Sequence, residues 1–175
     1  MYKITRPVIF SLIALAALLH LTVLGRAKLF GAKPDLLFSF VIFLGLFASR
    51  EIALEGAIFA GLAKDLASCG PFGLNLMTHV FTGFLVSRIS PHVYRESGFA
   101  QGLLTASFYV ISGSAYYAFA FFGKASPALA RDCIGSYPAF LFASIIPDAV
   151  YTGLVSVILF SRLMEYFEVS ERLLL

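Results

Sequence analysis

Long apolar runs separated by short polar breaks set the pattern of this chain. Six of them read as helices: Pro7–Leu24, Asp35–Ala48, Ile52–Ser68, Phe72–Ile89, Phe99–Phe122 and Tyr137–Leu163. A helix that crosses the hydrocarbon core needs about 20 residues, or about 17 when its ends snorkel. The second run is short by that measure and the last two are long, so tilt and thickness mismatch are expected. The breaks carry the usual helix punctuation. Pro34-Asp35 suits a helix start, with proline in the first turn and a carboxylate at the positive end of the dipole. Gly70-Pro71 ends the third run and Ser90-Pro91 ends the fourth. The link between runs three and four is so short that the two form an antiparallel hairpin.

The third run carries charge where its neighbours have none. At about 100° per residue from Glu51, the residues Glu55, Ile58, Leu62 and Asp65 all fall within roughly 40° of it. The opposite arc is nearly all small: Ala53, Gly56, Ala57, Ala60, Ala63 and Ala67, with Lys64 among them. The spacings Ala53-Ala57-Gly61 and Gly56-Ala60 let helix backbones approach closely. Asp65 lies five residues before Gly70, about 7–8 Å along the axis, so it is shallow in a bilayer. Lys64 can snorkel from there. Asp65 is too short to do so and needs a partner: a basic residue on a neighbouring helix, Asn75, or backbone groups freed by the Gly-Pro break. Three roles stay open for it: setting helix depth, locking the hairpin loop or a partner helix, or relaying a proton or ion.

The sixth run contains Pro147-Asp148. The proline frees a backbone carbonyl near mid-helix, and an aspartate at that depth is a candidate for structural hydrogen bonding or partner contact. Pro147-Asp148 repeats the Pro34-Asp35 dipeptide, too little to establish an internal repeat. His20 and His79 sit on apolar faces as packing residues, and with His92 they make no metal-ligand spacing. Cys69 and Cys133 fall in loops on the same side of a six-helix bundle, where a disulfide is sterically possible but two free thiols are the commoner outcome.

Composition agrees with the pattern. Of 175 residues, 59% are hydrophobic and 13% charged, and the mean hydropathy is +0.89, against roughly 25% charged in a soluble domain. The net charge of +3 is spread along the chain, with no basic block for nucleic acid. The first run is too long for a signal core and lacks a cleavage site after it, so it is expected to stay as a membrane helix. Placing the N-terminus inside divides Lys and Arg almost evenly between the two sides, a feeble positive-inside bias. No GxSxG, HExxH, P-loop or paired catalytic carboxylates occur, so an enzyme and a cofactor are not expected. The fold expected is all-α: one membrane domain over residues 1–175, a compact bundle of six transmembrane helices.

Residues 34–85 resemble the central region of the MreD family, the bacterial rod shape-determining membrane proteins. The resemblance rests on Pro34-Asp35, Arg50, Gly61-x-x-x-Asp65-Leu66 and Pro71-x-Gly73 in that order. Lys64 departs from the family pattern, where a small or apolar residue is expected. The resemblance implies a non-enzymatic component of the wall elongation complex in the bacterial inner membrane, with both termini cytoplasmic. It implies association with MreC, a single-span protein, and through it with MreB, RodA and a penicillin-binding transpeptidase. On this reading the small-residue face (Gly56, Ala57, Ala60, Gly61) docks the partner's helix beside Asp65, with Pro34, Asp35, Pro71, Gly73 and Asp148 as supporting candidates. Two alternatives remain: a vitamin-type substrate-binding subunit of an energy-coupling transporter, to which Asn75, Tyr116, Tyr117 and Asp148 would contribute, and a proton-coupled transporter built on Asp65 and Asp148.

Overall fold

The computed structural model describes residues 6–19, 32–68, 71–93, 97–122 and 137–173. Every regular element among them is helical: α1 (Arg6–Leu19), α2 (Leu36–Phe47), α3 (Arg50–Ala67), α4 (Leu74–Ile89), α5 (Gly98–Phe122) and α6. The last begins as Tyr137–Phe140, widens through a π turn at Leu141–Ile145 and continues as Ile146–Leu173. The turn immediately precedes Ile146-Pro147. Proline lacks an N–H, and its ring crowds the carbonyl one turn back, so a widened turn there relieves the clash without breaking the helix. The expected end of the first helix at Leu24, His20, and the Cys69–Cys133 pair lie outside the described residues.

Helix boundaries depart from the hydropathy pattern where side chains decide them. α3 starts at Arg50 rather than Ile52 because Ser49 caps it, its hydroxyl accepting from the Ile52 N–H at 3.4 Å. α4 starts at Leu74 rather than Phe72 because Gly73 is left-handed, with φ of 96°, a conformation that ends a right-handed helix.

The short second helix is the centre of the molecule. α2 touches all five other helices, and Leu37, Val41, Ile42, Phe43, Leu44 and Leu46 are fully buried. A helix apolar on every side must be surrounded. At about 18 Å, its twelve residues fall short of the roughly 30 Å hydrocarbon core. Phe43 anchors the far end, meeting Phe47 at 5.0 Å and Phe160 of α6 at 5.5 Å between ring centroids.

The outer surface has the opposite polarity to that of a soluble domain. Leu66, Phe72, Phe99, Phe142 and Ile158 are each at least 67% exposed. Within α6 the segment Leu141–Glu165 is long and apolar enough by itself to cross a membrane, the one such helix among the described residues.

Small residues set the helix spacing. Ala53, Ala57 and Ala60 of α3 are fully buried, and Gly83 of α4 lies so close that a Cβ there would come 2.9 Å from Ala57. At Gly61 a Cβ would sit 2.6 Å from the Leu76 Cα. Gly56 lies tight against the Leu44 side chain of α2. The face whose spacing suggested a partner's helix is thus filled by α2 and α4 of the same chain. The apolar face of a hairpin is the first surface a neighbouring segment can reach, which is why the chain's own helices occupy it. α5 and α6 repeat the device at Gly102 and Gly153, whose backbones meet directly.

Because the Gly61 clash is with backbone rather than with a yielding side chain, Gly61→Val should destabilise the isolated protein by about 1–3 kcal/mol or more. Ala57→Leu should do the same. Thermal melting in detergent checks both; a wild-type melting temperature for either variant would show that α3 and α4 are not in contact there.

Candidate functional site

Three aspartates gather where α2 begins, α3 ends and α4 begins, and each accepts backbone N–H groups. A helix start exposes amide hydrogens that no preceding turn can accept. Buried, they have no water either, and each unmet group costs about 1–3 kcal/mol.

Asp65 supplies α4. It is 3% exposed. Oδ1 accepts from the Asn75 N–H at 3.1 Å and from Asn75 Nδ2 at 3.0 Å. Oδ2 accepts from the Gly73 N–H at 2.9 Å and the Leu76 N–H at 3.0 Å. One carboxylate from the end of α3 therefore caps the first turn of α4. The geometry needs the whole motif around it. Gly61 brings the two helices into backbone contact, and Pro71 supplies the carbonyl that turns the chain onto Leu74 N–H at 3.4 Å. Gly73 then adopts a φ that aims its N–H back at Asp65, although a Cβ there would meet nothing within 4 Å. Its requirement is conformational rather than spatial.

Helical spacing groups Asp65 with Glu51 on one face, yet the structure buries Asp65 and exposes Glu51. The stripe Ala53-Ala57-Gly61-Asp65 advances by four residues per step and so drifts around the helix by about 40° each time. At its far end the stripe meets the first turn of α4, which wraps over Asp65.

Asp35 supplies α2. Its Oδ1 accepts the Phe38 N–H at 3.0 Å, and Oδ2 forms an ion pair with Lys64 Nζ. Its own N–H donates to Thr152 Oγ1 of α6 at 3.1 Å. Spacing suggests that Lys64 snorkels outward; instead it turns inward, 23% exposed, toward a carboxylate that is 3% exposed. A buried anion is costly without a counter-charge, and Lys64 provides it. This departure from the family pattern thus has a partner of its own.

Asp148 completes the set. Its Oδ1 accepts the Lys33 N–H at 2.8 Å. Asp148 and Thr152, one turn apart on α6, thereby hold the backbone of residues 33 and 35. The two Pro-Asp dipeptides meet in space through these contacts. Thr152 is absent from the sequence-level candidates; its spacing of four from Asp148 is the signal that could have found it.

Beneath these fastenings lies a partly open cavity of about 270 Å³. It is walled by α3, α4, α5 and α6, with Phe38 of α2 at its base. His79 is 1% exposed on this wall, edge-on to Phe38 with ring centroids 5.6 Å apart. Its Nδ1 lies 2.8 Å from the Asn75 carbonyl. Among the described residues no group of three or more His, Cys, Asp or Glu is placed to hold a metal ion.

The arrangement fastens helices to one another. Of the sequence-level candidates, Asp35, Asp65, Gly73 and Asp148 take part directly and Pro34 and Pro71 flank them. Gly56, Ala57, Ala60 and Gly61 lie on the α3 face packed inside the bundle. A family model described as rod shape-determining protein MreD matches residues 1–168. Searches of curated proteins and of solved structures return no match.

Removing the Asp65 carboxylate leaves three α4 amide hydrogens without an acceptor. Asp65→Ala should cost about 3 kcal/mol or more. Asp65→Asn should come within about 1 kcal/mol of the alanine variant, because its NH₂ group faces donors where an oxygen stood. Detergent melting curves, with hydrogen exchange at Gly73–Leu76, test this. A wild-type melting temperature for Asp65→Asn would mean that the carboxylate does not cap α4.

Proposed function

The chain belongs to the MreD family of rod shape-determining proteins, and on that premise we propose that it acts as a non-enzymatic membrane scaffold for an MreC-like partner. MreD proteins are shape-determining membrane proteins, a structural rather than a catalytic class. In this reading all six helices lie in the bacterial inner membrane as one domain, with both termini in the cytoplasm. The partner is a single-span protein whose helix packs against the bundle. Through it the scaffold connects to MreB filaments, RodA and a penicillin-binding transpeptidase.

The observation that supports docking is a groove on the outside of the bundle between α1 and α3. It has a volume of about 540 Å³ and is lined by apolar side chains alone, among them Ala14, Ala17 and Ala63, with Phe59 and Leu66 as its rims. Membrane helices associate through close packing over small residues, since lipid tails compete equally for large apolar ones. A floor of alanines between bulky rims fits that requirement. The inner small face of α3 is engaged within the chain, so this outer flank takes the docking role. The fastenings at Asp35, Asp65 and Asp148 keep α3 fixed and so keep the groove in shape.

Ala63→Phe or Ala17→Phe, which fills the groove from outside, should reduce co-purification of the MreC-like protein at least about tenfold, with the melting temperature of the isolated chain nearly unchanged. Full recovery of the partner by both variants would place docking elsewhere. Depletion of this protein in its rod-shaped host should round the cells, and persistent rods would count against the shape role.

A further inference from the structure

We propose that the outer face of α4 binds an anionic phospholipid, its phosphate held by Arg50 and Arg88 and one acyl chain lying along the helix. The inference rests on the membrane placement in the reading above and needs no protein partner.

Spacing builds the apolar part of the site. At about 100° per residue from Met77, Phe81 falls near ~40°, Phe84 near about −20° and Arg88 near ~20°, so the four share one stripe of α4. The stripe is bare. Met77 and Phe81 are each 58% exposed and Phe84 is 38% exposed, and Arg88 is exposed in the last turn. From Arg88 back to Met77 the stripe runs about 16 Å, close to the ~15 Å depth of one hydrocarbon leaflet. The arrangement therefore puts the cation at one end of a column as long as an acyl chain.

A second cation reaches the same spot from α3. The two helices are antiparallel, with Gly61 against Leu76 and Ala57 against Gly83, so α3 begins where α4 ends. The Arg50 guanidinium carbon lies over the Phe84 ring, 4.6 Å from its centroid, one turn before Arg88. That cation–π contact holds Arg50 in place and leaves its in-plane N–H donors unspent. Neither Arg50 nor Arg88 forms an ion pair among the described residues, whereas Lys64 pairs with Asp35 and Arg162 with Glu165. Glu51, the acid that follows Arg50, is exposed and joins neither arginine. Two unmatched guanidinium groups select a ligand of net negative charge, and their planar forks match phosphate oxygens. A zwitterionic headgroup would bring its ammonium against the same two cations. Free phosphate would leave the stripe from Phe84 to Met77 unused. An anionic phospholipid satisfies both ends, and the membrane interface presents it at the level of the helix ends.

Native mass spectrometry of the full chain in neutral detergent tests this. The probes are phosphatidylglycerol, phosphatidylcholine with the same acyl chains, and inorganic phosphate. Phosphatidylglycerol should be retained at least about fivefold more strongly than phosphatidylcholine, and millimolar phosphate should not displace it. Arg50→Gln and Arg88→Gln should each weaken it by about fivefold, the weight of one basic residue at an anionic surface. Arg162→Gln, which removes a cation already paired, should leave the preference as it is. Both arginines are exposed, so the melting temperature of the double variant should stay at the wild-type value. Three results would overturn the proposal: equal retention of the two lipids, an unchanged preference in the double variant, or displacement by inorganic phosphate. Retention of neither lipid would instead overturn the membrane placement, and this site with it.

Discussion

An amide hydrogen at a helix start has no acceptor in a preceding turn, and where it is buried it has no water to take instead. Much of this structure follows from how that deficit is met. Asp65 meets it for α4 with four N–H contacts on one side chain, three of them from the backbone. Asp35 meets it for α2, and Asp148 for the Lys33 amide just ahead of α2. In each case the carboxylate closes a local deficit and also ties two segments of the chain together. Bonds of this kind, with a charged acceptor, are stronger than neutral ones. They fix the starts of α2 and α4, the end of α3 and the Asp148–Thr152 turn of α6 relative to one another.

That fixation suits a protein whose work is to hold another in place. α2 is too short to be a wall of the bundle and acts as its core, touching every other helix. With α2 clamped at Asp35 and wedged by Phe43, Phe47 and Phe160, the helices around it have little freedom to slide. Glycine and alanine contacts between α3 and α4, and between α5 and α6, remove the remaining slack. The order Gly61, Asp65, Pro71 and Gly73 is then a single device in four parts: close approach, cap, turn and left-handed residue.

The same end of the bundle contains a less settled region. Above the aromatic base at Phe38 and Tyr109, polar groups from four helices line one cavity, and the buried ring of His79 packs behind them. A core built only for rigidity would have filled this space with apolar side chains, as the region around Phe43 does. The fastened aspartates and the open cavity share Lys64, Asn75 and Asp148, so whatever occupies the space touches residues that also hold the helices.

The apolar runs, their Pro and Gly breaks, and the hairpin of α3 and α4 were legible in the sequence because each depends on residues close together in the chain. So was the need of Asp65 for a partner, and Asn75 among the candidates, since both lie within one hairpin. Which way the small face of α3 points was not legible. Periodicity defines a face but not its neighbour, and α4 claimed it where spacing offered it to another protein. The pairing of Lys64 with Asp35, and the hold of Asp148 and Thr152 on residues 33 and 35, join positions 29 to 117 residues apart. No local rule relates such positions; only the packing of six helices around α2 brings their side chains within bonding distance. The sequence by itself determined which segments are helices and, for α2 to α5, where each one stops to within a residue; α6 runs on to Leu173 rather than ending at Leu163. Tertiary structure decided which helix each charge serves, because a charge in a lipid-like interior takes whatever partner the packing delivers.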